Sequence, residues 1–272
     1  MLIDAKKKEL LVLYAITQKN DCSLQKLSDE LAIPKRTIKE LIRKLNLSIT
    51  HLFGIESFIY STPKGEIKLN DLYHENRRMI FCQLKLHYLK ESNRFNYLLL
   101  LIDSPHAGVS KDYLAKQLYL STSYLEKLTQ QINKILKKYQ LQITSSQNRY
   151  FLEGNELSIR IYLYLFLTDA FQGLEWPFTT ICISQLKKQY QLSSAFLLTD
   201  QSEKQLESIY LLLALFTIRL DQHSLIPPAS TEIMEVLCLL QKVQDFSGTF
   251  KQRISTFLSE LDGSMKQPTP IF

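Results

Sequence analysis

The sequence predicts a mainly α-helical fold with small β-hairpin wings, in which two tandem winged helix-turn-helix domains precede an all-helical domain. Three observations lead to this prediction: residues 23–46 and 110–133 resemble each other without a gap, a hairpin pattern follows each copy, and strand patterns largely disappear after residue 156. Similarity at a fixed spacing indicates a duplicated structural unit. We therefore expect a first winged domain at residues 1–70, a connecting helix at 71–92, a second winged domain at 93–155 and a helical domain at 156–272.

The two copies place apolar residues at the same positions, 87 residues apart. In the first copy, Leu27 and Leu31 lie on one face of a short helix, for which Ser23 is a suitable N-cap. Pro34 favours the start of a second helix, whose inward face follows the i, i+3, i+4, i+7 pattern. That face consists of Ile38, Leu41, Ile42 and Leu45 in the first copy, and the second copy has an inward stripe of Leu125, Leu128, Ile132 and Ile135. Both copies therefore predict a helix-turn-helix.

Another helix precedes each copy, and a β-hairpin follows it. Apolar segments at residues 8–17 and 95–102 complete two three-helix cores. Short runs rich in β-branched and aromatic residues, separated by turn residues, predict the hairpins. The predicted strands are residues 58–60 and 67–69 behind the first copy, and residues 141–144 and 150–152 behind the second. A helix-turn-helix followed by a hairpin is a winged helix.

Positive charge is concentrated in the first part of the chain. Residues 1–155 contain 24 Lys and Arg against 15 Asp and Glu, whereas residues 156–272 contain 9 against 12. A basic region is expected where a protein faces a polyanion. Together with two helix-turn-helix units, this charge distribution predicts double-stranded DNA as the partner.

The outward faces of the second helix in each copy carry most of the candidate DNA-binding residues. Arg36 is suited to a base edge because its planar guanidinium can bind two acceptors of a guanine, whereas the cations further along suit phosphates. The other copy offers mainly hydroxyls and amides, so we expect a long and asymmetric contact. The candidates are Lys35, Arg36, Thr37, Lys39, Arg43 and Lys44 in the first copy, Thr122, Ser123, Tyr124, Lys127, Gln130, Gln131 and Lys134 in the second, and Lys64 and Arg149 in the wings.

Other classes of protein are not indicated. The cysteines, Cys22, Cys82, Cys182 and Cys238, lie far apart without ligand spacing, so we expect no metal site, no disulfide and no cofactor. No glycine-rich phosphate loop, nucleophile elbow or paired acid motif is present, and we expect no enzymatic activity. Acidic residues interrupt the N-terminal lysine run, which predicts an amphipathic helix and not a signal peptide. The most apolar stretch, residues 209–218, is too short to cross a bilayer. We expect a soluble cytoplasmic protein with no membrane partner.

Three short motifs are specific enough to suggest a family. They are Gln131-Ile132-Asn133-Lys134, Gly154-Asn155-Glu156 and Leu174-Glu175-Trp176-Pro177-Phe178. In this order, behind tandem winged helices, they resemble the Mga-type virulence regulators (M-protein trans-acting positive regulators) of Gram-positive bacteria. The resemblance covers residues 1 to about 225. It implies a cytoplasmic transcription regulator that binds promoter-proximal DNA, often with curved A·T-rich sites favoured over a strict consensus.

The same resemblance implies a regulatory role for the helical half. That half resembles a phosphotransferase-regulation domain (PRD), in which histidines can be phosphorylated, and His223 ends the family-like Arg-Leu-x-x-His pattern. It implies phosphotransferase-system proteins as partners and a homodimer through the helical domain. Family members usually continue into a second PRD and an EIIB-like domain, for which these 272 residues leave no room.

Two other interpretations stay open. A plasmid-type replication initiator can also carry paired winged helices, although the Gly-Asn-Glu and Leu-Glu-Trp-Pro-Phe motifs speak against it. A protein-interaction module that has lost DNA binding, such as a truncated antagonist of a longer relative, is the other.

Overall fold

The computed structural model describes residues 1–18, 22–63, 65–104, 106, 108–190 and 203–222. Within these residues the protein is mostly helical, with two small antiparallel sheets, as predicted. The first unit, within residues 1–70, consists of α1 (Asp4–Thr17), β1 (Cys22–Ser23), α2 (Leu24–Leu31), α3 (Lys35–Phe53), β2 (Ile59–Ser61) and β3 (Glu66–Leu69). A 3-10 turn (Asp71–Tyr73) and α4 (Arg77–Lys90) follow.

The second unit, within residues 93–155, repeats the same order of elements. It consists of α5 (Asn93–Ile102), β4 (Val109–Ser110), α6 (Lys111–Leu118), α7 (Thr122–Leu136), a 3-10 turn (Lys137–Tyr139), β5 (Gln142–Ser146) and β6 (Arg149–Glu153). The helical region then contains α8 (Glu156–Phe171), α9 (Ile183–Tyr190) and α10 (Glu203–Asp221). Residues 191–202 and 223–272 of the predicted helical domain lie outside the described residues, and His223 is among them.

Equivalent residues begin and end the first helix of each pair. Ser23 caps α2 by accepting the backbone N–H of Lys26, and Ser110 caps α6 by accepting that of Tyr113. Both helices end at a residue in the left-handed conformation, Ala32 with φ 50° and Tyr119 with φ 54°. A single left-handed residue ends a helix and redirects the chain within a few residues. The two copies therefore use the same tight turn to enter α3 and α7.

The inward faces of α3 and α7 mostly follow the predicted stripes, although Ile42 is only half-buried. Ile38, Leu41 and Leu45 of α3 are buried, and so are the residues that align with them in α7. Ile135, predicted to face inward, is only half-buried, and Leu136 is fully buried in its place. The helix turns by about 100° per residue, so the neighbouring side chain lies closer to the core at the end of α7.

Each sheet has three strands, of which the sequence predicted two. The orders are β1-β3-β2 and β4-β6-β5, and all pairings are antiparallel. The additional strands, β1 and β4, contain two residues each and pair next to the caps of α2 and α6. Two residues are too few to show the alternation of a strand. The second hairpin turn is also shorter than predicted, because β5 and β6 extend to Ser146 and Arg149 and leave only Gln147 and Asn148 between them.

The described residues form two hydrophobic cores. The first core is made by the first unit, and the second core is shared by the second unit and the helical region. Connecting helix α4 contributes residues to both cores. It begins at Arg77, later than the predicted residue 71, and the 3-10 turn capped by Asn70 lies in front of it. The α10 helix carries buried residues on several faces.

A buried ionic network joins α8 and α10. Asn155 caps α8, and the adjacent Glu156 accepts hydrogen bonds from Arg160 at 2.8 Å and from Arg219 at 3.0 and 2.6 Å. Arg219 also donates to Gln222, which donates to the backbone carbonyl of Ser104 in the second unit. One carboxylate thus holds two buried guanidinium groups, and the network connects the helical region to the loop that follows α5.

Candidate nucleic-acid interface

The α3 helix turns a cationic face to solvent. Five of its six candidate residues are exposed and Thr37 is half-buried; the exposed ones are Lys35, Arg36, Lys39, Arg43 and Lys44. The side chain of Arg36 is 93% exposed, and its Nε lies 4.0 Å from Oε1 of Glu40. An exposed ion pair at this distance is weak. The guanidinium can therefore exchange this contact for a stronger acceptor at little cost.

The α7 helix turns a polar but mostly uncharged face to solvent. All of its candidates are exposed: Thr122, Ser123, Tyr124, Lys127, Gln130, Gln131 and Lys134. Its first turn is ordered by Ser121, whose hydroxyl accepts the backbone N–H of Tyr124 and lies 3.2 Å from that of Ser123. Hydroxyls grouped at a helix N-terminus, where backbone N–H groups also point outward, form a surface suited to a phosphate oxygen or a base edge.

An asparagine fixes each of these helices to its hairpin. Asn46 of α3 donates to the carbonyl of Ile59 at 2.7 Å and accepts the N–H of the same residue at 2.9 Å. Asn133 of α7 makes the same pair of bonds with Ile143, at 2.9 and 2.7 Å. Each asparagine is the last residue of its copy of the repeated segment, and this shared position was visible in the sequence. The sequence did not show which groups the asparagines bind. They set the angle between the exposed helix and its hairpin.

A second contact positions α7 in its own core. The hydroxyl of Thr129 donates to the carbonyl of Leu125, so it is the acceptor of the 3.0 Å bond with the hydroxyl of Tyr97 on α5. Burial raises the pKa of Tyr97 well above its ordinary value, which keeps this donor protonated. The bond therefore fixes the rotation of α7, and with it the residues that face solvent.

The DNA-binding candidates in the wings, Arg149 and Lys64, differ in position from the candidates on α3 and α7. Arg149 is the first residue of β6, is half-buried, and donates from Nη2 to the carbonyl of Gly108 at 2.7 Å. It lies next to the turn formed by Gln147 and Asn148, and part of its guanidinium is engaged within the second unit. Lys64 lies outside the described residues.

In the described part of the chain, no group of three or more His, Cys, Asp or Glu side chains could hold a metal ion. None of the helices described there combines the length and the apolarity that crossing a bilayer requires. A largely apolar groove of about 580 Å³ lies between α1, α4, α7 and α8, lined among others by Lys85, Ile135 and Leu165. It reaches the C-terminal end of α7, away from Thr122 and Ser123.

Comparison with known proteins identifies the central segment. Residues 80–167 match the family described as the Mga helix-turn-helix domain. The matched segment spans most of α4, the whole second unit and most of α8, so the resemblance predicted from the sequence is confirmed there.

A curated protein is similar over a longer stretch. The chain is 26% identical over 172 residues to a protein of Streptococcus pneumoniae serotype 4 (strain ATCC BAA-334 / TIGR4) named "Putative trans-acting regulator". The aligned part is 63% of this chain but only 30% of that protein. Less than a third of the relative is therefore represented, and most of its length has no counterpart in this alignment.

Two of the family motifs have clear structural roles. Asn133 holds α7 to its hairpin, Asn155 caps α8, and Glu156 binds Arg219. In the third motif, the indole N–H of Trp176 donates to the carbonyl of Ile181, which orders the chain between α8 and α9. These residues of the family motifs maintain the fold, whereas Gln131 and Lys134 of the first motif lie on the exposed face of α7.

Proposed function

We propose that the protein is a DNA-binding transcription regulator of the Mga type, in which both units are winged helix-turn-helix domains and α3 and α7 enter the major groove. The observation that carries this proposal is the exposed polar face of α7, within a segment that belongs to a helix-turn-helix family. The first unit has the same order of elements, the same caps and the same asparagine clamp, which supports the same role for α3.

The side chains on the exposed faces of α3 and α7 suggest different roles in DNA binding. Arg36, near the start of α3, is proposed to bind a guanine, while Lys39, Arg43 and Lys44 neutralise phosphates. The hydroxyls of Thr122 and Ser123 at the start of α7 are proposed to bind base edges or phosphate, with Lys64 and Arg149 as wing contacts. Phosphate contacts dominate affinity, so binding should weaken steeply as salt rises.

Selection of DNA from a genomic library by the purified chain tests the proposal. The chain should enrich a defined set of fragments, and Arg36→Glu and Lys127→Glu should each lower affinity for them at least tenfold. Lys8→Glu on α1 and Lys188→Glu on α9 are matched charge reversals at exposed positions outside α3 and α7, and should change affinity less than threefold. Failure to enrich any fragment would contradict DNA binding, whereas loss of affinity in all four variants would point to net charge and not to these helices.

The remaining proposals concern organisation and regulation. We propose the domain boundaries 1–70, 71–92, 93–155 and 156–272, of which the first is supported by the separate core of the first unit. The helical domain, proposed to be PRD-like, packs into the core of the second unit and is placed to influence it. Homodimerisation through this domain, phosphorylation of His223 by phosphotransferase-system proteins and a cytoplasmic location follow from the family resemblance.

A further inference from the structure

The connecting helix α4 is packed on two opposite sides. Ile80, Leu84 and Tyr88, spaced by four residues, are buried in the first core. Leu86 and Leu89 are buried in the second core. A rotation of either unit about α4 would expose one of these sets to water, which apolar burial opposes. The helix therefore belongs to both units and does not act as a loose linker.

Polar contacts attach α4 to the first unit. The buried hydroxyl of Tyr88 donates to Oε2 of Glu9 on α1 at 2.6 Å and lies 3.2 Å from the hydroxyl of Ser48 on α3. The ammonium group of Lys6 lies 3.8 Å from the centre of the Tyr88 ring. One side chain of α4 thus binds two different helices of the first unit.

A separate set of contacts attaches α4 to the other side. The ammonium group of Lys85 donates to Oδ1 of Asp169 at 2.6 Å and to its backbone carbonyl at 2.9 Å. The thiol of Cys82 donates to Oε1 of Gln172 at 2.8 Å, and Lys90 forms an ion pair with Glu175. These partners lie at the end of α8 and just beyond it, in the region that shares its core with the second unit.

The connection between α4 and α5 is too short to act as a flexible linker. Only Glu91 and Ser92 separate the two helices, and their backbone N–H groups bind the carbonyls of His87 and Leu89. The hydroxyl of Ser92 donates to the backbone carbonyl of Met1 at 2.9 Å, so the N-terminus of the first unit also contacts this junction.

We infer that α4 holds the two units as one rigid body, so that the chain recognises a bipartite DNA site whose halves have one fixed separation and helical phase. This inference rests on the proposed function. The proposed target consists of two short DNA sequences, one bound by α3 and the other by α7, that must occur together at a single spacing. Units joined by a flexible linker would instead tolerate many spacings.

The main test uses the unmodified chain and its selected DNA. After footprinting locates the two halves, 1, 5 or 10 base pairs are inserted between them. Five base pairs place the second half on the opposite face of the duplex, whereas ten restore the face but shift it by about 34 Å. Every insertion should lower affinity at least tenfold. Retained affinity at ten base pairs, or equal affinity at all spacings, would overturn the inference while leaving DNA binding intact.

A second measurement needs no DNA. Spin labels at Leu47→Cys on α3 and Glu126→Cys on α7, both exposed positions, report the distance between the units in a Cys182→Ser, Cys238→Ser background. The distance distribution should be as narrow as that of a reference pair within the first unit, Lys8→Cys with Leu47→Cys. A broad distribution would overturn the inference directly. If no DNA is bound at all, the proposed function fails and the bipartite target fails with it, while the label distances still decide whether α4 is rigid.

Discussion

The two units share a skeleton and differ in the surface that they present. Both have three helices and a three-stranded sheet of the same strand order, with equivalent serine caps and asparagine clamps. On the outward face, α3 is cationic, whereas α7 carries Lys127 and Lys134 among hydroxyls and amides. The residues that form the core, caps and clamps of each unit are therefore different from the residues proposed to bind DNA. Binding chemistry can therefore change in one copy without altering its fold.

The units also differ in what they pack against. The second unit shares a core with α8, α9 and α10, while the first unit has its own core and meets the rest of the chain mainly through α4. The second unit is tied, through Gln222, to the Glu156 network. A signal received by the helical region would reach α7 through direct packing, and α3 mainly through α4.

The largest expected effect separates the two surfaces by their salt dependence. Replacing Lys39, Arg43 and Lys44 of α3 together with Gln should make the slope of log affinity against log salt shallower by about 3, because each phosphate contact contributes about 1. Replacing Gln130 and Gln131 of α7 with Ala removes no charge, so the slope should stay the same even if affinity falls. Fluorescence anisotropy with a selected fragment, over a series of salt concentrations, measures both. Equal slopes for all three proteins would break the proposed contrast between α3 and α7.

How far the sequence predicted these surfaces depends on the kind of information needed. The repeat located both helix pairs because Leu27, Leu114 and their neighbours encode burial at helical spacing, which is a local pattern. The clamps of Asn46 and Asn133 were not predicted, because their partners lie in a different element and depend on the folded geometry. The Glu156–Arg219 ion pair was not predicted for the same reason, since its two residues are 63 positions apart in the sequence. For Arg149, the sequence could not show that its guanidinium binds the carbonyl of Gly108.

The next effect tests the Glu156 network, which contacts the second unit through Gln222. Glu156→Ala leaves Arg160 and Arg219 without their shared carboxylate, and breaking a buried ion pair in this way costs about 3–5 kcal/mol. The single tryptophan, Trp176, packs against the second core, so its fluorescence in a urea titration reports the stability of that core. Glu153→Ala, at an exposed position of β6, is the control and should change stability by no more than about 0.5 kcal/mol. A loss below about 1 kcal/mol for Glu156→Ala would mean that the network contributes little to stability.

The smallest expected effect tests whether the asparagine clamps of the two units contribute equally to stability. Asn46→Ala and Asn133→Ala each leave the N–H and carbonyl of a buried strand residue without their side-chain partner. An unsatisfied buried polar group costs about 1–3 kcal/mol, so each variant should lose stability within that range and by a similar amount. Calorimetric melting follows both cores, and Gln117→Ala at an exposed position of α6 is the control, expected to melt like the parent chain. If one asparagine proves dispensable while the other is essential, the common skeleton does not extend to the contact that aims each exposed helix, and α3 and α7 must be oriented by different means.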